Sequence, residues 1–233
     1  MTTIFDLSAA GRDLRRSKDG RRLAGMIDGL VDINSICRDL EVAGQLLTKV
    51  IEIDRQHQAQ GTHLQDQDEA QIAQSLNLNA VMHYVRATHT SSDVRRTLQL
   101  RPKLTEDLWT RHRAVCGLRD GALAHYGHGA APGERQWVQE RLVIAFEPDG
   151  RFELKTPNVR ANYLGWVLEN LQMLIPVVQK IAEEDKDRKA SALISELSNP
   201  TAEHLAILTR YDMSHADDIP SVEKTMWHPR AGA

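Results

Sequence analysis

Leu23-Ala24-Gly25-Met26-Ile27-Asp28-Gly29-Leu30-Val31-Asp32-Ile33 opens a run that continues to Ile53, and its periodicity decides the fold class. Apolar or small residues recur at Leu23, Met26, Leu30, Ile33, Cys37, Leu40, Gly44, Leu47 and Ile51, with spacings that alternate three and four. Such a seam is a helix with one face committed to a partner. Ile27, Ile36 and Val50 widen the stripe beyond a bare two-stranded coil, so the segment 19–55 reads as a long helix of a bundle. A second helix is expected over 69–89, with Ile72, Leu76, Val81 and Val85 on its buried side. A third follows the Arg101-Pro102-Lys103 break, where the residue before proline avoids the helical region.

That third helix is expected over 104–128. Thr105 suits its N-cap, and Glu106 and Asp107 place carboxylates on the positive end of the dipole. Leu108, Val115, Leu118, Ala122 and His125 form its stripe, and Gly127-His128-Gly129-Ala130-Ala131-Pro132-Gly133 stops it. Arg141–Phe146 and Arg151–Lys155 alternate around Glu147-Pro148-Asp149-Gly150, which predicts one small β-hairpin near 139–156. Thr156-Pro157 then opens a helix over 158–184, striped by Leu164, Val167, Leu171, Leu174, Val178 and Ile181 and kinked at Pro176. Short helices are expected over 190–197 and 201–210.

The fold expectation is therefore all-α: a bundle of about four main helices, short C-terminal helices and one hairpin insertion. The chain divides into a basic segment at 1–18, a helical domain at 19–211 and a weakly ordered tail at 212–233. The basic segment carries Arg12, Arg15, Arg16 and Lys18, the cluster runs on into Arg21 and Arg22, and it reads as a solvated, frayed terminus.

Composition limits the function. Of 233 residues, 41% are hydrophobic and 26% charged, enough apolar content for a packed core. The net charge of -3 and a pI near 6.4 argue against a broad basic coat for nucleic acid, leaving room only for a local basic site. Cys37 and Cys116 both fall in apolar helical stripes and suit a reducing cytoplasm. No signal-peptide pattern and no membrane-spanning run is read, so a cytoplasmic protein with no membrane partner is expected. No Cys/His spacing, His-x-Glu, Asp-x-Asp or Gly-rich phosphate loop is found, so neither metal nor cofactor is expected.

The chemistry concentrates in Leu118-Arg119-Asp120-Gly121-Ala122-Leu123-Ala124-His125-Tyr126. An Arg, a polar residue directly after it, five intervening residues and then a His preceded by Ala resembles the motif of the HEPN superfamily, helical proteins that process nucleic acids. The form is most similar to the abortive-infection U-type branch, and the likeness covers about 25 residues. In an ideal α-helix, positions six apart diverge by about 120°, so Arg119 and His125 do not share a face. The resemblance implies a homodimer in which two motif helices meet at the two-fold axis and both chains contribute to the site.

It further implies metal-independent RNA cleavage, by a toxin or antiviral effector that an antitoxin or other regulatory partner controls. The His125 imidazole would take the 2′-hydroxyl proton and return one. The Arg119 guanidinium would hold the scissile phosphate, and Asp120 would orient one of the two. Arg111, Arg113, Tyr126 and His128 are the residues placed along the RNA. Two other readings stand beside this one. A non-catalytic module of the same fold would bind RNA, nucleotide or protein, and in a plain helical dimer the Arg-x5-His spacing would be coincidental.

Overall fold

The computed structural model describes residues 4–61, 67–89, 95–120, 138–140, 143–146, 152–155, 158–160 and 164–213. Six α-helices carry it: α1 Leu7–Arg16, α2 Gly20–Ala59, α3 Gln67–Thr88, α4 Glu106–Leu118, α5 Leu164–Leu197 and α6 Ala202–Leu208, the last running into a 3-10 turn at Thr209–Tyr211. The described buried residues come from these helices and the 95–104 segment, so the core is all-α. No helix among the described residues is long and apolar enough to cross a membrane.

The chain forms two compact units, residues 1–32 with 186–233, and residues 33–185. In the first, the basic segment is not a frayed end. Asp6 caps α1 by accepting a bond from the Ala9 N–H at 2.9 Å, and Arg15 and Arg16 sit in its last turn, where cations complement the dipole. Ala10 and Leu14 pack with Leu23, Ala24 and Ile27 of α2, Leu193 of α5 and Ile207 and Leu208 of α6. Arg15 pairs with Asp28 and Arg22 with Glu196. Residues 212–213 belong here rather than to a loose tail. Asp6 donates its N–H to the Tyr211 carbonyl at 2.9 Å, and Met213 donates to that of Ile4 at 2.7 Å. The rest of the expected tail, 214–233, lies outside the described residues.

One glycine fixes the corner between α1 and α2. A Cβ at Gly20 would lie 2.6 Å from the Leu14 carbonyl oxygen and 3.0 Å from its Cα. Only a residue without a side chain allows the two backbones to approach this closely.

In the second unit the long seam is present with one shift. Ile33, Leu40 and Leu47 are buried as expected, but the alternate rung is Ile36, Ala43 and Val50 rather than Cys37, Gly44 and Ile51, which are half-buried. Helix α3 shifts only in its first half, since Val81 and Val85 are buried as expected. Ile72 is 53% exposed, and the buried face is Ala73, Asn77, Ala80, Val81, Tyr84, Val85 and Thr88. Its small residues let the α3 backbone pack closely, and Tyr84 supplies the volume.

The expected stripe of α5 is present from Val167 to Ile181, and Leu168, Ile175 and Ala182 join it. Its boundaries differ from expectation at both ends. Helix does not begin at Asn158, which lies in a strand, but at Leu164. It also does not stop at the charge run 183–189, and α5 continues through Pro176 and that run to Leu197, absorbing the separate 190–197 helix. In that run Glu183, Glu184, Asp187 and Arg188 are exposed, while Asp185 is buried.

Between α4 and α5 the described residues include four short strands, β1 Val138–Glu140, β2 Val143–Phe146, β3 Phe152–Lys155 and β4 Asn158–Arg160. They form two separate antiparallel pairs: β2 with β3, Phe146 opposite Phe152, and β1 with β4, Val138 opposite Arg160. The residues between these strands, including the Asp149-Gly150 turn expected of a single hairpin, lie outside the described residues.

Candidate functional site

The motif helix begins as its sequence directs. The Thr105 hydroxyl caps α4 by accepting from the Leu108 N–H at 3.4 Å, and Glu106 and Asp107 occupy the first turn. The α-helical run ends at Leu118, and residues 119–120 are wound as a π-turn. Of the helix expected over 104–128, residues 106–118 are α-helical and the winding changes at Arg119, while 121–128 lie outside the described residues. His125, Tyr126 and His128 lie outside the described residues.

Arg119 and Asp120 are described and paired. Arg119 Nη1 donates to Asp120 Oδ1 at 2.8 Å, with the guanidinium largely sheltered. Asp120 offers its other oxygen, Oδ2, to His89 Nε2 at 3.3 Å. The bond from Arg119 lowers the Asp120 carboxyl below its ordinary range, and His89 acts in the same direction against a smaller effect of burial. The carboxylate thus bridges a guanidinium from the end of α4 and an imidazole from the end of α3.

Beneath this rim lies a buried polar layer. The Tyr84 hydroxyl is 3.0 Å from His112 Nδ1, and the rings meet edge-on with centroids 5.8 Å apart. Trp109 lies tilted over His112 at 5.1 Å, and the Arg101 guanidinium covers Trp109 at 5.3 Å. Cys116 Sγ is 3.7 Å from His112 Nε2. Burial, with the charge of His89 added, lowers His112 to about 4, so it is neutral at physiological pH. Burial pushes the Cys116 thiol up to about 12, with Asp120 adding to the rise and Arg119 opposing it. Burial also raises the Tyr84 phenol well above its ordinary value. These groups are inert as acids and nucleophiles and form a rigid floor under the rim.

The other two RNA-contact candidates on α4 differ. Arg111 is engaged by Asp107 at 2.9 Å and by Asn170 of α5 at 3.1 Å, so it ties α4 to α5. Arg113 is exposed and borders an open groove with Thr110 and Ala114.

A second polar cluster lies on α2 and α3. Asp39 is buried and accepts bonds from Arg86 Nε at 2.9 Å, Arg95 Nη1 at 2.7 Å and the His83 imidazole at 3.2 Å, with a further contact from Arg86 Nη2. Arg95 also donates to Ser35 Oγ and to the Arg86 carbonyl. Burial raises the Asp39 carboxyl, but the bonds from Arg86, Arg95 and His83 together outweigh it and hold the group at about 2. The cluster joins three chain segments and is satisfied within itself.

The sequence reading missed His89 and Asp39, took His83 and Arg86 as packing residues, and read His112 with Arg111 and Arg113 as a solvated helix face, whereas His112 is buried. His112 was findable, because it lies four residues after Leu108 and three before Val115 on the buried stripe. His89 and Asp39 carry no such local signal, since their partners lie 31 and 44–56 residues away along the chain. Among the described residues no group of His, Cys, Asp and Glu is arranged to hold a metal ion. No family model matches the chain, and neither a curated protein nor a solved structure matches it.

Proposed function

We propose that the protein is an endoribonuclease of the HEPN type, with Arg119, Asp120 and His125 as its motif. The observation that supports this most directly is the end of α4. There Arg119, sheltered but with one N–H donor engaged by Asp120, sits on a rigid floor beside an imidazole. A guanidinium has five donors in a planar fork, so Asp120 can orient it while others remain for a phosphate. Asp120 then acts as a positioning residue. On this reading His125 handles protons in the transfer, exposed Arg113 steers the RNA backbone, and Tyr126 and His128 follow His125 along the RNA. The cellular role is that of a toxin or antiviral effector held in check by a partner.

The test is incubation of single-stranded RNA with the full chain in excess EDTA. Wild type is expected to leave products ending in 2′,3′-cyclic phosphate. Arg119→Ala and His125→Ala are each expected to lose about 10²–10⁴ in rate with the helical circular-dichroism signal retained. A wild type that binds RNA or nucleotide without cutting it would transfer the assignment to a binding module. Cleavage that survives both substitutions would sink the motif as the active site.

A further inference from the structure

We infer that His89 is the general base of this site, held by Asp120 through Nε2 and presenting Nδ1 to the substrate. The inference rests on the ribonuclease reading. His89 is the first residue past α3, yet its backbone is fixed, because its N–H bonds to the Val85 carbonyl at 2.8 Å. Its side chain is half-exposed, and Nε2 lies 3.3 Å from Asp120 Oδ2. A carboxylate accepts hydrogen bonds and does not donate, so Asp120 selects the tautomer with the proton on Nε2. The lone pair is then on Nδ1.

The described histidines near this unit's polar clusters are otherwise engaged. His112 is buried against Tyr84, and His83 is bonded to Asp39. Among the described residues, Asp120 pairs with His89, Arg119 pairs with the other oxygen of Asp120, and His112 in the buried layer feels the charge of His89. Asp120 therefore places a proton acceptor and a phosphate-binding guanidinium on opposite oxygens of one carboxylate. In-line attack at phosphorus needs that pair of groups side by side.

In the step itself, Nδ1 takes the 2′-hydroxyl proton as O2′ bonds to phosphorus and the P–O5′ bond breaks. The leaving O5′ takes a proton delivered through a water molecule, the transfer that the ribonuclease reading gives to His125, and the His89 imidazolium returns its proton to that water. Arg119 neutralises the charge that gathers on the non-bridging oxygens. The products are a 2′,3′-cyclic phosphate and a 5′-hydroxyl, with no net change in protons on the protein.

The experiment measures cleavage of a labelled single-stranded RNA in EDTA between pH 5 and 9. It compares wild type, His89→Ala, His89→Gln and Asp120→Asn, with Arg119→Ala alongside. The expected result is a loss of about 10²–10⁴ in kcat for both His89 variants, with folding intact. Added imidazole should restore part of the rate to His89→Ala but not to Arg119→Ala, and the acid-side fall in the wild-type profile should vanish in His89→Gln. Asp120→Asn should lower kcat more than it raises KM. If either His89 variant keeps more than about a tenth of the wild-type rate while Arg119→Ala is dead, the inference is wrong and the ribonuclease reading stands. Inactive variants that imidazole does not rescue and whose residual profile is unchanged in shape also overturn it. A wild type without cleavage removes both.

Discussion

Two buried side chains make the stability of this protein a function of pH, and they act in different ranges. His112 is 3% exposed and held neutral, with its folded value lowered from 6.5 to about 4. An unfolded chain binds that proton more readily, so the stabilisation is complete above pH 6.5 and is lost as pH falls towards 4. At about 1.4 kcal/mol per pH unit, the loss is on the order of 2–3 kcal/mol. Asp39 is held at about 2 against an ordinary 3.8. Its stabilisation is present above pH 4 and is lost as pH falls through 2. Its magnitude is on the order of 1 kcal/mol, because Arg86 is half-exposed and water screens its share. Urea unfolding at pH 7, 5 and 3 should show a drop in the first interval and a further drop in the second. Asp39→Asn should flatten the drop below pH 4 and leave the one above it. At neutral pH it should cost about 2–3 kcal/mol, since it leaves Arg95 largely buried without a counter-charge. A stability curve flat from pH 7 to 5 would contradict the account of His112.

At the scale of elements, the corner between α1 and α2 gives the sharpest expectation. Gly20→Ala sets a methyl 2.6 Å from a backbone oxygen, and a backbone atom cannot rotate away as a side chain can. The substitution should cost about 1–3 kcal/mol, although alanine is elsewhere the better helix former, and a chemical-denaturation midpoint will show it. A midpoint equal to or above wild type would mean the corner opens freely. Elements of this kind also mark what the sequence could reveal. The α5 stripe from Val167 to Ile181 and the Thr105 cap were legible because periodicity and capping are local properties. On α2 the buried rung runs through Ile36, Ala43 and Val50, of which Ala43 was not read, and on α3 Val81 and Val85 are buried as expected while the first turns were read one residue off, because Ala73 was passed over for the larger Ile72. Of the candidate site, Arg119 and Asp120 were legible as a pattern. The His89 contact was not, because it depends on where the end of α3 meets the end of α4 in space.

At the scale of the whole molecule, the proposed site bears on assembly. A composite site at a two-fold axis requires a homodimer, and a self-complementary interface places the motif helix against its own copy. Sedimentation at micromolar concentration is expected to give twice the 26.2 kDa chain mass, with a monomer arguing against shared catalysis. The same region carries a consequence of another kind. Cys116 lies under His112 with its thiol pushed up to about 12, whereas Cys37 is half-buried on α2. Alkylating reagents attack thiolates, so in the native fold Cys116 is protected twice, by access and by protonation. It becomes reactive only when α3 and α4 separate and water reaches the floor of the site. Its labelling rate relative to that of Cys37 is therefore a built-in clock for how often that floor opens, and it is read by mass without adding any probe to the chain.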